Sequence, residues 1–475
     1  MNPTHGLALV LAAALALGGC STAPKLTMPD VPIAAAYKGA APWTPAQPAD
    51  GLPRGPWWAM FGDTDLNDLQ ARLVEHSPDL AAALARYNQA KAFSDQLRSG
   101  LFPSLVLGAN AQRDRQSDMR PLRGINSPTD YNSFTAGVEV DYELDLWGRI
   151  RNEVNAGRAQ AQAYAADLES ARLSLQAQLA DDYMVLRGLD RQVGTLNETV
   201  SAYENALALT QSRHDGGIAS GLDVARAQTQ LGTSRSLKAQ TLAQRAVAEH
   251  AIAALIGESA SEFSIQPRLA QIVLPEVPVG VPATLVQRRP DIAAAQRRVA
   301  ASNASVGVAR AAFFPAITLS ATAGYQSTAA GNWITAPNAF WSLGPSLLFT
   351  LFDAGKRKAQ VAQAQAALDE AGSLYRSAVL SAFQQVEDGL ALVHNYRSAA
   401  IEDHSAVTAA ELSLDFALTR YREGEVSYLE VVTSQTITLQ TQLDSLNLET
   451  RELRASVQLI RALGGGWTAA QNPQS

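Results

Sequence analysis

The chain repeats itself once, and this internal repeat is the strongest limit on how its 475 residues can fold. The segment 77–86 (SPDLAAALAR) matches 289–298 (RPDIAAAQRR). Further matches pair one residue of each half: Phe102 with Phe314, Pro103 with Pro315, Gly148 with Gly355, Gln228 with Gln435 and Gly257 with Gly464. The register of the matches shifts between Pro103 and Gly148, where we expect a loop of variable length. Two similar units of about 180 residues predict one topology used twice.

The repeat also sets the domain boundaries that we expect. The expected segments are a signal peptide at 1–19, a lipid anchor with an extended N-terminal segment at 20–62, repeat 1 at 63–257, a linker at 258–282, repeat 2 at 283–464 and a C-terminal tail at 465–475. The linker contains four prolines, and 21–56 is rich in Pro, Ala and Thr. Such compositions are typical of extended connections rather than packed elements.

Within each repeat the apolar residues recur first with a helical period and then with a strand period. Residues 79–101 and 291–313 are rich in alanine, begin behind a proline and stop at the next proline, which predicts helices. Apolar and polar residues then alternate, so each strand has one apolar and one hydrophilic face. The four strands predicted per chain are 104–112, 134–143, 315–326 and 340–351.

The length and the aromatic residues of these strands favour an outer-membrane β-barrel. Each strand is close to the roughly 9 to 11 residues of a membrane-crossing strand. Aromatic residues cluster at both strand ends, as in the girdles of such barrels. They are Tyr131, Phe134, Tyr325, Phe340 and Trp341 near the long loops, and Phe102, Trp147, Phe314 and Phe352 at the other end. A soluble β-sandwich is the alternative, and strand alternation alone would favour it.

The number of strands predicts oligomerisation. Four strands cannot close a barrel, and an unpaired edge is not tolerated in lipid, so several chains must share one barrel. Two chains would give eight strands and an interior filled by side chains, whereas three would give twelve strands and room for a pore.

Two long runs without proline predict helices of unusual length. They extend from Arg149 to about Arg213 and from Lys356 to about Tyr421, and each would be roughly 95 Å long at 1.5 Å per residue. Apolar residues spaced by three and four predict coiled-coil seams. The seam residues are Leu186, Leu189, Val193, Leu196, Val200, Tyr203 and Leu207, and on a later helix Leu439, Leu443, Leu446, Thr450, Leu453, Val457 and Ile460. A soluble helical bundle is the alternative, but helices this long exceed a compact domain, so we expect them to project from the membrane.

The N-terminus resembles a bacterial lipoprotein signal. An apolar run at 7–19 ends at Cys20, the only cysteine of the chain, and 17–20 (LGGC) resembles a lipobox. We therefore expect cleavage before Cys20 and acylation of this residue; a signal peptide with a chance cysteine is the alternative. Residues 1–6 contain no Lys or Arg, which departs from the usual signal peptide and leaves the translation start open. No later segment approaches the roughly 20 apolar residues of a spanning helix.

Composition argues against several classes of function. A net charge of −7 disfavours nucleic-acid binding. The single cysteine excludes an intramolecular disulfide, a Cys-rich zinc site and a CxxC redox pair. The six histidines lack metal-ligand spacing, and 217–221 (GIASG) lacks the spacing of a nucleophile elbow. We expect no enzymatic activity, no metal and no cofactor, so the energy for any transport must come from a partner.

A set of motifs resembles the TolC-like outer-membrane efflux factors, specifically their OprM-type lipoprotein branch. The motifs are PWWAMFGD (56–63), YELDLWGR (142–149), RHDGGIASGLDVARAQTQL (213–231), RRPDIAAAQ (288–296), ARAAFFPAITL (309–319), LFDAGKRKAQ (351–360), RYREGEVSYLEVV (420–432) and RALGGGW (461–467). They run in order across almost the whole mature chain and are highly specific together.

This resemblance implies a fold and a function. The implied fold is a homotrimer with a twelve-stranded outer-membrane β-barrel, four strands per chain, continuous with a long α-helical coiled-coil barrel in the periplasm. The implied function is the exit duct of a tripartite pump in a Gram-negative bacterium, exporting drugs or other toxic small molecules. Its partners would be outer-membrane lipid, a periplasmic adaptor and an inner-membrane transporter, usually of the resistance-nodulation-division type. Protein or peptide secretion and a non-conducting structural lipoprotein are the alternatives.

The resemblance also places the helix–turn–helix tips, 213–224 and 420–431, at the periplasmic mouth. The residues implied to contact the adaptor are Arg213, Gly217, Ser220, Leu222, Asp223, Arg420, Gly424, Ser427 and Leu429. The implied aperture gate is Tyr421, Glu425 and Glu430, while Thr433 departs from the acidic residue often found there. The residue types themselves predict glycine turns, serine caps and first-turn acids, and capping alone is the alternative role.

Overall fold

The computed structural model describes residues 22–31, 37–38, 45–46, 55–119, 124, 127–275, 277, 279–280 and 289–465. The predicted signal peptide and Cys20 lie outside the described residues, as do parts of the linker and nearly all of the C-terminal tail.

The described ranges contain seven α-helices and six strands. The helices are α1 Thr64–His76, α2 Pro78–Ser99, α3 Arg149–Asp215, α4 Gly221–Leu255, α5 Pro290–Ala311, α6 Lys356–Glu423 and α7 Tyr428–Ala462. The strands are β1 Pro45–Ala46, β2 Ser104–Arg115, β3 Asp130–Glu143, β4 Val279–Gly280, β5 Ala316–Ser327 and β6 Ala339–Leu348. The order α2, β2, β3, α3, α4 recurs as α5, β5, β6, α6, α7, the order predicted for each repeat.

Matched prolines begin the two helices that precede the strands. Pro78 and Pro290 are the first residues of α2 and α5, where the missing N–H would have no helical partner. Asp79 and Asp291 follow in the first turn and favour the positive end of the helix dipole. The predicted helices and strands of both repeats are confirmed with small shifts at their ends. The proline-free runs are likewise confirmed as single helices of 67 and 68 residues.

The chain divides into two compact units. Unit 1 contains Arg86–Ala165, Ala294–Arg376 and the described residues before Val31. Unit 2 contains Ala166–Ala293, Ser377 onward and the segment from Val31 to Ala85. The main sheet lies in unit 1, while the helix–turn–helix tips lie in unit 2.

The sheet of unit 1 is antiparallel, in the order β2-β3-β5-β6, so β2 and β6 form its two edges. Side chains alternate between its faces. Two neighbouring rows of one face, each with one residue per strand, are Leu107, Val138, Ala323 and Trp341, and Leu105, Val140, Ala321 and Leu343. Leu107 and Trp341 are each 79% exposed, so no other described part of this unit covers that face.

The opposite face of the sheet is polar. Glu139 pairs with Thr322, and Thr322 pairs with Ser342 across the next strand. The hydroxyl oxygens of Thr322 and Ser342 lie 2.7 Å apart, within hydrogen-bond distance. A continuous apolar face and a polar face therefore follow directly from the predicted alternation.

Two aspartates start the long helices behind the strands. The carboxylate of Asp145 accepts from the backbone N–H of Ile150 at 3.1 Å and of Arg151 at 2.8 Å. Asp353 accepts from the backbone N–H of Arg357 at 3.2 Å. Each carboxylate satisfies N–H groups that have no partner within the helix, so α3 and α6 begin in the same way.

Unit 2 contains a buried ionic network around α3 and α4. Arg187, only 3% exposed in its side chain, donates to Asp190 at 2.9 Å and to the Tyr183 hydroxyl at 3.0 Å. Arg245 donates to the other oxygen of Asp190 at 2.6 Å, and Arg187 reaches Asp65 of α1 at 2.8 Å. Pairing offsets the desolvation of these charges, as buried ions require.

The coiled-coil seam is confirmed on α3 and in part on α7. Of the α3 residues, Leu186, Leu189, Leu196, Val200 and Tyr203 are buried, and Val193 and Leu207 are half-buried. On α7 the predicted Val457 and Ile460 are fully buried, whereas Leu439, Leu443, Leu446, Thr450 and Leu453 are half-buried. Buried positions outside the prediction include Tyr428, Val431, Gln435, Thr438, Glu452 and Ala455. Polar residues therefore occupy part of the α7 seam, which an apolar pattern does not identify.

None of the helices in the described ranges combines the length and the apolar character needed to cross a membrane.

Candidate functional site at the helix–turn–helix tips

Both tips end their first helix in the same way. Gly217 has φ +75° and Gly424 has φ +83°, a backbone conformation that glycine adopts without strain. At the first tip Ile218 N–H donates to the Arg213 carbonyl and Gly217 N–H to the His214 carbonyl, both at 2.8 Å. The second tip repeats the pattern through Glu425 and Gly424. These are Schellman motifs, so the predicted glycine turns are confirmed at both positions.

The serine caps of the returning helices differ between the two tips. The Ser220 hydroxyl accepts from the Asp223 backbone N–H at 3.2 Å, and the Asp223 carboxylate accepts from the Ser220 backbone N–H at 3.3 Å. This reciprocal pair is a capping box. Ser427 occupies the N-cap position of α7, as predicted, but its side chain makes no cap bond. Glu430, three positions later, fits the capping-box pattern by residue type, yet its side chain is exposed and closes no box.

This difference gives a matched test of capping. Ser220→Ala should cost about 1 kcal/mol of local helix stability because it leaves a backbone N–H of α4 without its cap. Hydrogen exchange of the first turn of α4 should then be about fivefold faster.

Ser427→Ala is the control, since no cap is lost there, and exchange at the start of α7 should stay unchanged. Equal acceleration at both helices would contradict the assigned caps.

Arg213 joins the first tip to the second. Its guanidinium donates to the backbone carbonyls of Tyr421 and Arg422, each at 2.9 Å. It also lies over the Tyr421 ring, 4.6 Å from the centroid. The Tyr421 carbonyl also accepts from the Gly424 backbone N–H at 3.1 Å. The last carbonyls of a helix lack intrahelical donors, so the Arg213 cation adds donors at this end of α6 and interacts favourably with the helix dipole. We call these contacts the Arg213 clamp.

Tyr421 belongs to a small buried cluster behind the clamp. Its ring lies 5.3 Å from that of Tyr428, and Ala227 and Val431 complete the cluster. The Tyr421 hydroxyl has no hydrogen-bond partner in the described part of the chain. Burial, together with the nearby Tyr421, raises the pKa of Tyr428 to about 12. The Tyr428 ring therefore packs as a neutral group at neutral pH.

The remaining predicted tip residues lie at the surface. Leu222, Leu429 and Ile218 are exposed apolar side chains. Arg420 and Glu425 form an exposed ion pair at 3.3 Å, and such pairs contribute little to stability. Glu430 is exposed, whereas Tyr421 is buried, and their joint role at the aperture stays a prediction.

Sequence reasoning missed Tyr428 and the partner of Arg213. Tyr428 is the first residue of α7 and is almost fully buried, but no periodic pattern singled it out. Arg213 was placed at the tip, yet its partners lie about 200 positions away in the chain, which a linear pattern does not encode. No group of His, Cys, Asp and Glu suited to a metal ion occurs among the described residues.

A family model described as "Outer membrane efflux protein" matches residues 69–258 and 281–465. The chain is 30% identical to the outer membrane protein OprJ of Pseudomonas aeruginosa over 98% of this chain and 97% of that protein. It is 31% identical to the toluene efflux pump outer membrane protein TtgC of Pseudomonas putida, over 98% of this chain and 96% of TtgC.

Solved structures show the same fold. The outer-membrane channel OprN matches with a TM-score of 0.85 and 30% identity, over 94% of this chain and all of the OprN chain. The Campylobacter jejuni outer membrane channel CmeC has a TM-score of 0.88 at 22% identity, over 95% of this chain and 96% of that one, and supports the fold alone. With the family model matched over both halves, the chain belongs to the outer membrane efflux protein family, whose TolC-like channels it resembles in sequence and in fold.

Proposed function

We propose that this chain is the outer-membrane exit duct of a tripartite efflux pump and catalyses no reaction itself. The observation that carries the proposal is the sheet of unit 1, with one exposed apolar face, one polar face and two unpaired edges. An exposed apolar face of this extent favours contact with lipid, and a polar face favours a water-filled interior. The sheet edges favour pairing with further copies.

Three copies best account for a duct. We propose a homotrimer in which β6 of one chain pairs with β2 of the next and gives a twelve-stranded barrel. The repeated order of elements and the two segments matched by the family model support an internal duplication at the proposed boundaries, 63–257 and 283–464. Sedimentation of the purified protein in detergent tests the stoichiometry, and a stable dimer would contradict it.

We further propose that Cys20 carries the lipid anchor. The position of Thr22 supports this, because its hydroxyl donates to the Gly307 carbonyl at 2.7 Å and lies 3.3 Å from the Trp147 carbonyl. Trp147 follows β3, so the described chain begins beside the base of the strands.

Cys20→Ser should abolish incorporation of radiolabelled palmitate into the chain, because acylation requires the thiol. The unprocessed precursor should accumulate, while the strands retain their own affinity for the membrane. Absence of label in the wild-type protein would rule out the anchor.

The relatives support a class of cargo. They include outer membrane proteins named for the efflux of toluene, solvents and antibiotics and for the export of pyoverdine. We propose that this duct exports drugs, solvents or other toxic small molecules delivered by an inner-membrane transporter of the resistance-nodulation-division type through a periplasmic adaptor. The adaptor would contact the tips at the residues named above, with Tyr421, Glu425 and Glu430 at the aperture.

A deletion strain tests the function directly. We expect increased susceptibility to a panel of antibiotics, dyes and solvents, restored by the wild-type gene, with an unchanged profile of secreted proteins. A lost secreted protein with unchanged susceptibility would indicate secretion instead. Purified trimers that conduct no ions in a planar bilayer would indicate a structural lipoprotein.

A further inference from the structure

A cavity lies among the helices of unit 1, next to the ends of β3 and β5. Its volume is about 620 Å³, which is within the range of binding sites for small molecules. Residues of α2, α3, α5 and α6 line it, and all of them belong to unit 1. The lining is mostly apolar or small, and among the described lining residues Arg149 and Glu153 alone are charged. Such a lining suits a ligand with an apolar body and one charged group.

Small residues create the cavity. Gly157 lets α3 approach α2 so closely that a Cβ there would lie 2.5 Å from Cδ1 of Leu97. On α5 the lining includes Ala301 and Ser305. Phe93 of α2 has the largest apolar side chain of the lining and is 54% exposed. Its ring therefore offers uncovered apolar surface beside a floor of small side chains, which favours contact with a bulky apolar group.

Two carboxylates and one guanidinium beside the cavity sum to a charge of −1. Arg149 donates to both oxygens of Glu143, at 2.8 and 2.6 Å, and to Oε1 of Glu153 at 2.6 Å. One cation thus neutralises only one of the two carboxylates. Lys356, at the start of α6, is exposed and does not line the cavity. The Glu153 side chain lines the cavity and is 32% exposed, so the excess negative charge is accessible to a ligand.

The same carboxylates connect the cavity to the polar face of the sheet. Glu143 pairs with Thr318, and Glu139 pairs with Thr322. Residues an even number of positions apart in a strand point to one face, so Glu143 and Glu139 share the polar face. Because Arg149 binds Glu143 and lines the cavity, the cavity lies on the side that the proposed function assigns to the interior of the duct.

We propose that this cavity is a transient binding site for amphiphilic cations on the inner wall of the duct. Phe93 contacts the apolar part of the cation, and Glu153 attracts its positive charge. The proposal rests on the proposed function, because it places the cavity inside the duct. Among the small molecules that a duct could carry, it identifies the class that this site retains, those that combine an apolar body with a positive charge.

Binding in this cavity should be weak and should depend on salt. Phe93 and Glu153 are both partly exposed, and ions screen exposed charges. A conducting pathway also requires sites that bind favourably enough to be entered and weakly enough to be left. The site therefore concentrates cations at the wall without blocking the duct.

The first test compares a cation with a neutral molecule of similar bulk. The full-length protein in phosphatidylcholine nanodiscs is dialysed against tetraphenylphosphonium or triphenylphosphine oxide, and binding to empty nanodiscs is subtracted. We expect saturable binding of tetraphenylphosphonium at one site per chain and about tenfold weaker binding of the neutral compound. Added salt should reduce this difference. Equal affinities for the two compounds would overturn the proposal, and this comparison requires no variant.

Two variants locate the site. Glu153→Gln removes the excess negative charge while Arg149 keeps its bonds to Glu143. Tetraphenylphosphonium should then bind about tenfold more weakly, whereas binding of the neutral compound should stay unchanged. Ser305→Leu fills the cavity from an exposed position and should weaken the binding of both compounds. Unchanged binding in both variants would exclude this cavity as the site.

Two matched controls lie outside the cavity lining. Glu169→Gln removes a carboxylate from an ion pair with Arg172 on α3. Ser373 is an exposed serine of α6 whose hydroxyl donates to the carbonyl four residues earlier, as the Ser305 hydroxyl does. Glu169→Gln and Ser373→Leu should leave the binding of both compounds unchanged. Losses as large as those of the two cavity variants would contradict the assignment.

A conductance measurement separates this inference from the proposed function. The same wild-type protein is inserted into a planar bilayer, and its ion conductance is recorded. A protein that conducts ions but binds the two compounds equally would overturn this inference alone. A protein that conducts no ions would overturn the duct, and with it the position of the cavity on an inner wall.

Discussion

Arginine at Val138 should prevent most of the protein from assembling in the outer membrane, whereas arginine at Thr322 should be tolerated. Val138 lies on the apolar face, in register with Leu107 and Ala323 of the neighbouring strands. A charged side chain facing lipid near the bilayer midplane costs roughly 2 to 4 kcal/mol. A trimer would contain three copies of the substitution, so the cost would apply once per chain.

Thr322 is the control because it lies one row away on the opposite face. It is paired with Glu139, so an arginine there gains an acidic neighbour and faces the proposed duct. The measurement is the fraction of trimer in outer-membrane extracts, with Leu319→Arg and Leu347→Arg as further apolar-face variants. Thr322→Arg should change single-channel conductance instead. Equal losses of trimer from both faces would favour a soluble sandwich over a barrel.

The sequence predicted the elements well because their signals are local. Proline at the start of α2 and α5, alternation in the strands and the absence of proline in α3 and α6 each act within a few residues. Because the chain is repeated internally, each element of the repeat was predicted from two separate stretches of sequence. Gly217 and Gly424 were found in this way, since both must adopt a positive φ where a helix ends.

The sequence pattern failed where it does not determine which bond or contact a side chain makes. Ser427 occupies the position of Ser220 and Glu430 suits a capping box, but the side-chain cap bonds form only at the first tip. Gln435 and Thr438 are buried although they are polar, so an apolar stripe could not reveal the N-terminal part of the α7 seam. Thr438 instead donates to the Ala410 carbonyl at 3.0 Å, which compensates its burial.

Loss of the Arg213 clamp should loosen the two tips from each other and increase ion conduction. Arg213→Gln removes the positive charge, weakens two hydrogen bonds to α6 carbonyls and ends the contact with the Tyr421 ring. Hydrogen bonds to charged groups contribute roughly 1.5 to 3 kcal/mol each, and the cation–π contact adds about 0.5 to 1 kcal/mol at an exposed site. Partial exposure of Arg213 favours the lower values.

The expected consequence is a shift in the equilibrium between closed and open apertures. We propose that the clamp forms in the closed aperture and breaks in the open one. A loss of about 3 kcal/mol from the closed state would then raise the open-to-closed ratio roughly 100-fold. Purified trimers of Arg213→Gln, measured in a planar bilayer without adaptor, should show longer openings or a higher single-channel conductance. Thermal stability of the trimer should remain unchanged, because the clamp acts within one chain.

Two variants separate the clamp from general effects at the tip. Arg235→Gln removes the same charge from an exposed pair with Glu204 elsewhere in unit 2, so conductance should stay at the wild-type level. Tyr421→Phe keeps the ring under Arg213 and removes only a hydroxyl that has no partner in the described part of one chain. A large effect of Tyr421→Phe would therefore assign the gating effect to this buried hydroxyl rather than to the clamp. If Arg213→Gln trimers are intact and their conductance is unchanged, Arg213 only caps the C-terminal end of α6 and has no role in gating.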